Sequence, residues 1–131
     1  MRRRFLPVLV ACCGVQACFV DLASPEICQT YANWGIVLGV RDARSLEPAA
    51  FGARLEIREG DYLEIVEGQL AGQPALSGAT ERAGRYELLV TKPGYQDWTA
   101  EGVVVGWERD SPWDDTCHVR TTRLEAVLVP L

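Results

Sequence analysis

The stretch Gly-Arg-Tyr-Glu-Leu-Leu-Val-Thr-Lys-Pro-Gly-Tyr, residues 84–95, decides the fold that the sequence predicts. Tyr86, Leu88 and Val90 alternate with mainly polar neighbours, the two-residue period of a strand with one buried and one wet face. Pro93-Gly94 predicts a turn, because proline presets φ and glycine accepts a positive one. Tyr95 opens the next extended segment. We therefore expect the central hairpin of a small β-sandwich.

The rest of the domain repeats this alternation in short segments. The clearest other case is Ala53, Leu55 and Ile57, which alternate with charged residues. Short strands at a spacing of about 8 to 12 residues, without any helix-period segment, are typical of β-sandwiches. We predict an all-β, antiparallel sandwich of seven strands. In the last strand, residues 117–131, the apolar parity changes, which predicts a β-bulge near Thr122-Arg123.

The sequence divides into three parts. Residues 1–17 form a predicted signal peptide of lipoprotein type, with three arginines before a short apolar segment. That segment is too short to span a bilayer, which takes about 20 apolar residues. Residues 18–33 have no sustained period and form a predicted tether. Residues 34–131 form the predicted β-sandwich domain.

Two cysteines follow sequences that resemble the lipobox of bacterial lipoproteins. Val15-Gln16-Ala17 precedes Cys18 and leaves an apolar segment of the right length, so we favour Cys18 as the acylated residue. Leu9-Val10-Ala11 precedes Cys12 with better side chains but a short apolar segment of about six residues, against about 7–15 in a signal peptide. Plain secretion after Ala17 is a further alternative. The favoured prediction is an exported protein held at the bacterial cell envelope by a lipid.

Cys28 and Cys117 remain if acylation occurs at Cys18. In an oxidising compartment this even pair predicts a disulfide. Closing such a long loop stabilises a domain by roughly 4 to 5 kcal/mol in the chain-entropy model. Two separate buried thiols are the alternative.

The charge balance excludes one class of partner. The chain holds 13 Lys and Arg against 18 Asp and Glu, a net charge of −5. An acidic surface repels phosphate backbones, so we expect no nucleic-acid partner.

Several segments, in order, resemble the carboxypeptidase regulatory-like domain, a member of the transthyretin-like (prealbumin-like) β-sandwiches found in small bacterial lipoproteins. The similar segments are Val40-Arg41-Asp42-Ala43, Gly52-Ala53, Gly84-Arg85-Tyr86, Pro93-Gly94-Tyr95 with Trp98, and Cys117-His118-Val119. Residues 44–48 depart from the family's Thr-Gly-x-Pro turn. The resemblance implies a transthyretin-like fold and an accessory or binding role. It carries over no active site, and we expect no enzyme and no cofactor.

The candidate chemical groups give little support to catalysis or metal binding. His118 is the only histidine, and we expect it to face outward on the last strand. The serines lie in no nucleophile motif, and the ligands for a zinc site are missing. Asp110, Asp114 and Asp115 are candidate calcium ligands in one acidic loop, but their spacing matches no EF-hand.

Tryptophans suggest where a ligand would bind. Trp107 and Trp113 flank the acidic loop, and exposed tryptophans stack on sugars or anchor protein partners. Trp98 is expected to fill the core near the Pro-Gly-Tyr turn instead. The leading hypothesis is a noncatalytic accessory or binding module with an envelope protein or glycan as partner. Alternatives are a carbohydrate-binding module that uses Trp107 and Trp113, or an envelope enzyme.

Overall fold

The computed structural model describes residues 31–108 and 118–131. Within these two ranges the chain is all-β, with nine strands and no helix. The strands are β1 (Ile36–Asp42), β2 (Arg54–Glu59), β3 (Tyr62–Glu67), β4 (Ala75–Gly78), β5 (Gly84–Thr91), β6 (Trp98–Val105), β7 (Trp107–Glu108), β8 (His118–Val119) and β9 (Thr122–Leu128). The all-β prediction is confirmed, whereas the predicted count of seven strands is not.

The strands form three sheets. One has the order β4–β1–β9, the second β3–β2–β5–β6, and the third pairs β7 with β8. Five of the pairings are antiparallel, but β1 and β9 are parallel, in register from Ile36 opposite Thr122 to Asp42 opposite Leu128. The prediction of a fully antiparallel fold was therefore wrong at this pair. Parallel neighbours need a long crossover, and here the whole four-stranded sheet lies between β1 and β9 in the chain.

One apolar core is shared by the two larger sheets. The alternation seen in the sequence points the expected side chains inward, because successive residues of a strand face opposite sides. The three-stranded sheet contributes Ile36, Leu38, Val40, Leu76, Ala126 and Leu128; the four-stranded sheet contributes Leu55, Ile57, Tyr86, Leu88, Val90, Val103 and Val105. Trp98 packs against this core while partly buried, as predicted.

Tyr86 is the largest fully buried side chain among the described residues, and its hydroxyl forms two hydrogen bonds, both with Arg82. The Tyr86 hydroxyl donates to the Arg82 carbonyl oxygen (2.7 Å) and accepts from Arg82 Nη1 (2.8 Å). The Arg82 guanidinium lies 3.7 Å from the ring centroid of Tyr62 and binds the Glu59 carboxylate at 2.9 Å. A Cβ at Gly84 would collide with that carboxylate. The lack of a side chain at Gly84 lets the Glu59 carboxylate lie this close to the strand.

The last part of the chain differs from the prediction. A single strand with a bulge near Thr122-Arg123 was expected, but the register of β9 against β1 is continuous from Thr122. The change of parity arises because His118–Val119 is a separate strand that pairs with β7. The irregular register lies instead between β5 and β6, at Tyr86 and Leu88.

Candidate functional site

Asp42 and Tyr95 join the end of β1 to the Pro-Gly-Tyr turn. The Tyr95 hydroxyl donates to Asp42 Oδ2 at 2.6 Å. Asp42 Oδ1 accepts from the backbone amides of Arg44 (2.7 Å) and Ser45 (2.9 Å). The bond from Tyr95 first, and then the amides of Ser45 and Arg44, lower the pKa of Asp42 from its ordinary 3.8 to about 2. The same bond to Asp42 raises the pKa of Tyr95.

This bonding fixes an unusual turn after β1. The Leu46 amide donates to the Asp42 carbonyl oxygen at 2.9 Å. Leu46 has a φ of 61°, in the left-handed region that non-glycine residues rarely occupy. Its side chain is 62% exposed. A residue held in such a conformation is maintained by its surroundings and is often found at functional sites.

Leu46 forms one wall of a groove of about 540 Å³ on the outer face of the three-stranded sheet. Pro48 and Pro74 extend the apolar walls, and Arg41 and Arg123 supply two guanidinium groups. The groove lies on this face because the outward residues of β1 alternate with the buried Ile36, Leu38 and Val40. It combines apolar walls with a few polar groups, as ligand sites commonly do.

Gly39 forms the floor of the groove. A Cβ there would lie 2.9 Å from the Glu125 carboxylate, so the glycine lets Glu125 lie close over β1. Glu125 Oε2 is 3.4 Å from Arg41 Nε, but both side chains are more than half exposed. Such a pair contributes little to stability. Within the described residues no carboxylate forms an ion pair with Arg123.

A second, smaller depression of about 420 Å³ lies on the outer face of the four-stranded sheet. Its polar lining is Glu56, Arg58, Glu87 and Glu101. Arg58 is already bound to Glu56 at 3.0 Å. The one cation of this lining is therefore already occupied, and the remaining charged groups, Glu87 and Glu101, are solvent-exposed carboxylates, so this face is a weaker candidate than the Gly39 groove.

His118 is buried rather than outward-facing, so that prediction was wrong. The residue is 7% exposed, and its Nδ1 is 2.8 Å from Glu81 Oε1. Tyr31 stacks on the imidazole with ring centroids 4.4 Å apart. Nε2 has no hydrogen-bond partner among the described residues. No sequence pattern indicates this arrangement, because Glu81 lies 37 residues before His118 and in a different connection.

Glu81 ties the start of the described chain to β8. Its carboxylate accepts from the backbone amides of Asn33 and Val119 as well as binding His118. Burial acts to raise the pKa of Glu81, but the bonds from Asn33, His118 and Val119 outweigh it and lower the pKa. The Asn33 side-chain amide also donates to the Val119 carbonyl oxygen at 3.3 Å. The Glu81 carboxylate therefore has a structural role: its three hydrogen bonds hold the segment before β1 and β8 together.

The tryptophan prediction is only partly covered by the structure. Trp107 lies on β7 opposite Val119 and is 49% exposed, so it is available to a ligand. Trp113 lies outside the described residues. Trp34, which the sequence reasoning missed, is about half exposed, and its carbonyl oxygen accepts from the Thr121 hydroxyl at 2.7 Å. No periodic pattern could have distinguished Trp34 from a residue of the first strand.

Other predicted positions also lie outside the described residues. They are the cysteines Cys12, Cys18, Cys28 and Cys117 and the loop carboxylates Asp110, Asp114 and Asp115. In the remainder of the chain, no group of three or more His, Cys, Asp or Glu side chains is arranged to hold a metal ion. Over the same described ranges, no helix is long and apolar enough to cross a membrane.

Comparisons with known proteins leave the family open. Neither a scan against protein-family models nor a search of curated proteins found a match to this chain.

Proposed function

We propose that this chain is a noncatalytic, lipid-anchored β-sandwich of the bacterial cell envelope, with a transthyretin-like fold, that acts as an accessory or binding module. The shared core of the two larger sheets supports the sandwich. The order of the motifs around Asp42, Tyr86 and Tyr95 supports the transthyretin-like assignment. Two of these segments also contact each other, since the Tyr95 hydroxyl donates to Asp42.

The observation that carries the proposal is the placement of the groove relative to the start of the described chain. The residues just before β1 are held beside β8. The Asn33 amide donates to Glu81, whose carboxylate binds His118, and Tyr31 stacks on the His118 ring. The Gly39 groove runs along β1 from Val37 to Arg41 and reaches Leu46 beyond the far end of the strand. The six steps from Ile36 to Asp42 span about 20 Å at the rise of a strand. A tether entering at the Ile36 end would leave the Leu46 end of the groove facing away from the anchor.

The chemistry of the groove suggests a ligand with a carboxylate beside an apolar group. Of the two guanidinium groups in the groove, that of Arg123 has no carboxylate partner among the described residues, and arginine binds carboxylates in a bidentate geometry. Leu46, Pro48 and Pro74 offer apolar contact on the adjacent walls. Binding to such a site needs no catalytic group.

In-cell photo-crosslinking tests this role without knowledge of the ligand. A photoreactive residue at Leu46 should give a discrete crosslinked product, because Leu46 lines the groove. Leu70 is the matched control, an equally accessible leucine outside the groove. Arg123→Glu should remove the Leu46 product, whereas Arg120→Glu, at an exposed arginine elsewhere, should not. Equal products from Leu46 and Leu70, or a Leu46 product that survives Arg123→Glu, would contradict the proposal.

Carbohydrate binding is the second candidate, and the exposure of Trp107 is the observation that favours it. An exposed indole offers a flat apolar face to a sugar ring. Trp107→Ala should then abolish cosedimentation with insoluble cell-wall glycan. Phe51→Ala, at another half-exposed aromatic residue, serves as the control. Unchanged cosedimentation in Trp107→Ala would remove this candidate.

A further inference from the structure

The edge strand β3 has a row of backbone groups that face away from the sheet. Gly60-Asp61 connects β2 to β3 as a two-residue hairpin loop, closed by the pair Glu59 and Tyr62. The two residues that flank a two-residue loop form a hydrogen-bonded pair. Along the two strands, hydrogen-bonded pairs then recur at every second position. The bond from the Gly68 amide to the Ala53 carbonyl oxygen (2.9 Å) continues this alternation.

The register therefore divides the residues of β3 into two sets, according to the side to which their backbone amide and carbonyl groups point. Tyr62, Glu64 and Val66 direct their amide and carbonyl groups towards β2. The intervening residues, Leu63, Ile65 and Glu67, direct theirs towards the open side. No described strand pairs with β3 on that side, since β3 ends the sheet order.

The side chains on this edge leave it accessible. Leu63 is 47% exposed and Ile65 is 44% exposed, on the outer face of the sheet. Natural edge strands are usually protected by proline, lysine, a bulge, an inward-pointing charged residue or a covering segment. Residues 62–67 contain neither proline nor lysine, and their register against β2 is regular. The one inward-pointing charged residue, Glu64, binds the Tyr62 hydroxyl and the Ala79 amide on the core side and leaves the outer face apolar. A regular edge with exposed apolar residues is the kind of surface to which an extended peptide adds.

Charge specifies the partner further. Asp61 and Glu67 are exposed at the two ends of the edge, and residues 61–67 contain no cationic residue. On the neighbouring strand, Arg54 and Arg58 share the single carboxylate of Glu56, so three acidic residues around this edge, Glu56, Asp61 and Glu67, outnumber the two arginines. Like charges would face each other if a second copy of this acidic chain added at the same edge, and repulsion disfavours that pairing.

We propose that the β3 edge binds an extended segment of another protein, which adds to the four-stranded sheet as a further strand. The segment has apolar side chains at alternate positions, against Leu63 and Ile65. Lysine or arginine residues at its ends lie beside Asp61 and Glu67. This inference goes beyond the proposed function, because the edge lies on a different sheet from the Gly39 groove and does not depend on it.

A short designed peptide serves as the probe: acetyl-Lys-Thr-Val-Thr-Val-Thr-Lys-amide. Binding is followed by amide hydrogen exchange, measured by NMR, on the 131-residue chain in detergent micelles. When the peptide occupies about nine-tenths of the protein, the amides of Leu63, Ile65 and Glu67 should exchange about tenfold more slowly, because an amide exchanges only while its partner is absent. The amides of Tyr62, Glu64 and Val66 should already be protected without the peptide.

Ile65→Pro is the decisive variant. Proline lacks an amide proton, but the Ile65 amide faces away from β2, so the β2–β3 ladder keeps its bonds. We expect Ile65→Pro to lose peptide binding while the core amide signals stay in place. Ile65→Ala keeps the amide and should retain weakened binding. A peptide with glutamate in place of both lysines should bind more weakly, and one N-methylated at its bonding amides should not bind.

Several results would overturn the inference. Binding of the probe to Ile65→Pro at wild-type affinity would do so, as would binding that leaves Leu63 and Ile65 exchanging at their free rates. If Ile65→Pro does not fold, binding of the N-methylated peptide as tightly as the unmethylated one refutes the added strand instead. A dimer whose Leu63 and Ile65 amides are protected without any peptide would identify a second copy as the occupant and refute the proposed partner.

Discussion

The Tyr86 hydroxyl offers a sharp test of how the central strand is held. Tyr86→Phe keeps the buried ring and removes only the oxygen that binds the Arg82 carbonyl group at 2.7 Å and Arg82 Nη1 at 2.8 Å. A neutral hydrogen bond contributes about 0.5–1.5 kcal/mol, one from a charged group such as the Arg82 guanidinium about 1.5–3 kcal/mol, and a carbonyl group left without its donor costs about 1–3 kcal/mol where it is buried. We therefore expect the free energy of unfolding to fall by about 1–3 kcal/mol.

Urea unfolding followed by tryptophan fluorescence measures this loss. The midpoint should fall while the slope with urea stays unchanged, which identifies a change of stability alone. Tyr31→Phe is the matched control, because the Tyr31 ring stacks on His118 but is about half exposed. A surface change of this kind costs at most about 0.5 kcal/mol. If Tyr86→Phe is as stable as Tyr31→Phe, the hydroxyl does not hold the central strand in the way described.

Two further predictions concern acid stability and the cysteines. The pKa of Asp42 is about 2 in the folded protein and 3.8 ordinarily, so its contribution to stability is complete above pH 3.8 and is lost as the pH falls towards 2. Tyr95→Phe removes the largest cause of that lowering and should make the melting temperature less dependent on pH in this window; an unchanged acid profile would contradict the assignment. For the predicted Cys28–Cys117 disulfide, thiol titration of the exported protein under nonreducing denaturation should find no free thiol at either position, and Cys117→Ser should lower stability by about 2 to 5 kcal/mol. Two titratable thiols, or Cα atoms more than about 7 Å apart, would rule out the bridge.

The local pattern predicted the strands well because side-chain alternation is decided residue by residue. Leu55 and Ile57 on β2, and Leu88 and Val90 on β5, are buried as that alternation requires. Pairing between distant strands is not encoded locally. Nothing in the alternation of β9 distinguishes a parallel from an antiparallel neighbour, so its parallel pairing with β1 was missed.

The candidate site was harder to predict for the same reason. Asp42 and Tyr95 both belong to segments that carry the family resemblance, but their bond joins residues 53 positions apart. The groove over Gly39 depends on the turn that this bond fixes, so its apolar walls were not predicted. His118 was misplaced because its burial is due to Glu81 and Tyr31, neither of which the sequence places beside it.

The lipid anchor is the part of the proposed function that a single measurement tests most directly. Cells producing the wild-type protein, Cys18→Ala or Cys12→Ala are labelled with palmitate, and the label and membrane association of each protein are compared. We predict that Cys18→Ala loses the label and leaves the membrane fraction, because an acidic domain without its lipid has little affinity for a membrane surface. Cys12→Ala should retain both. A wild-type protein that takes up no label would contradict the anchored module, and loss of label only in Cys12→Ala would move the anchor to that residue.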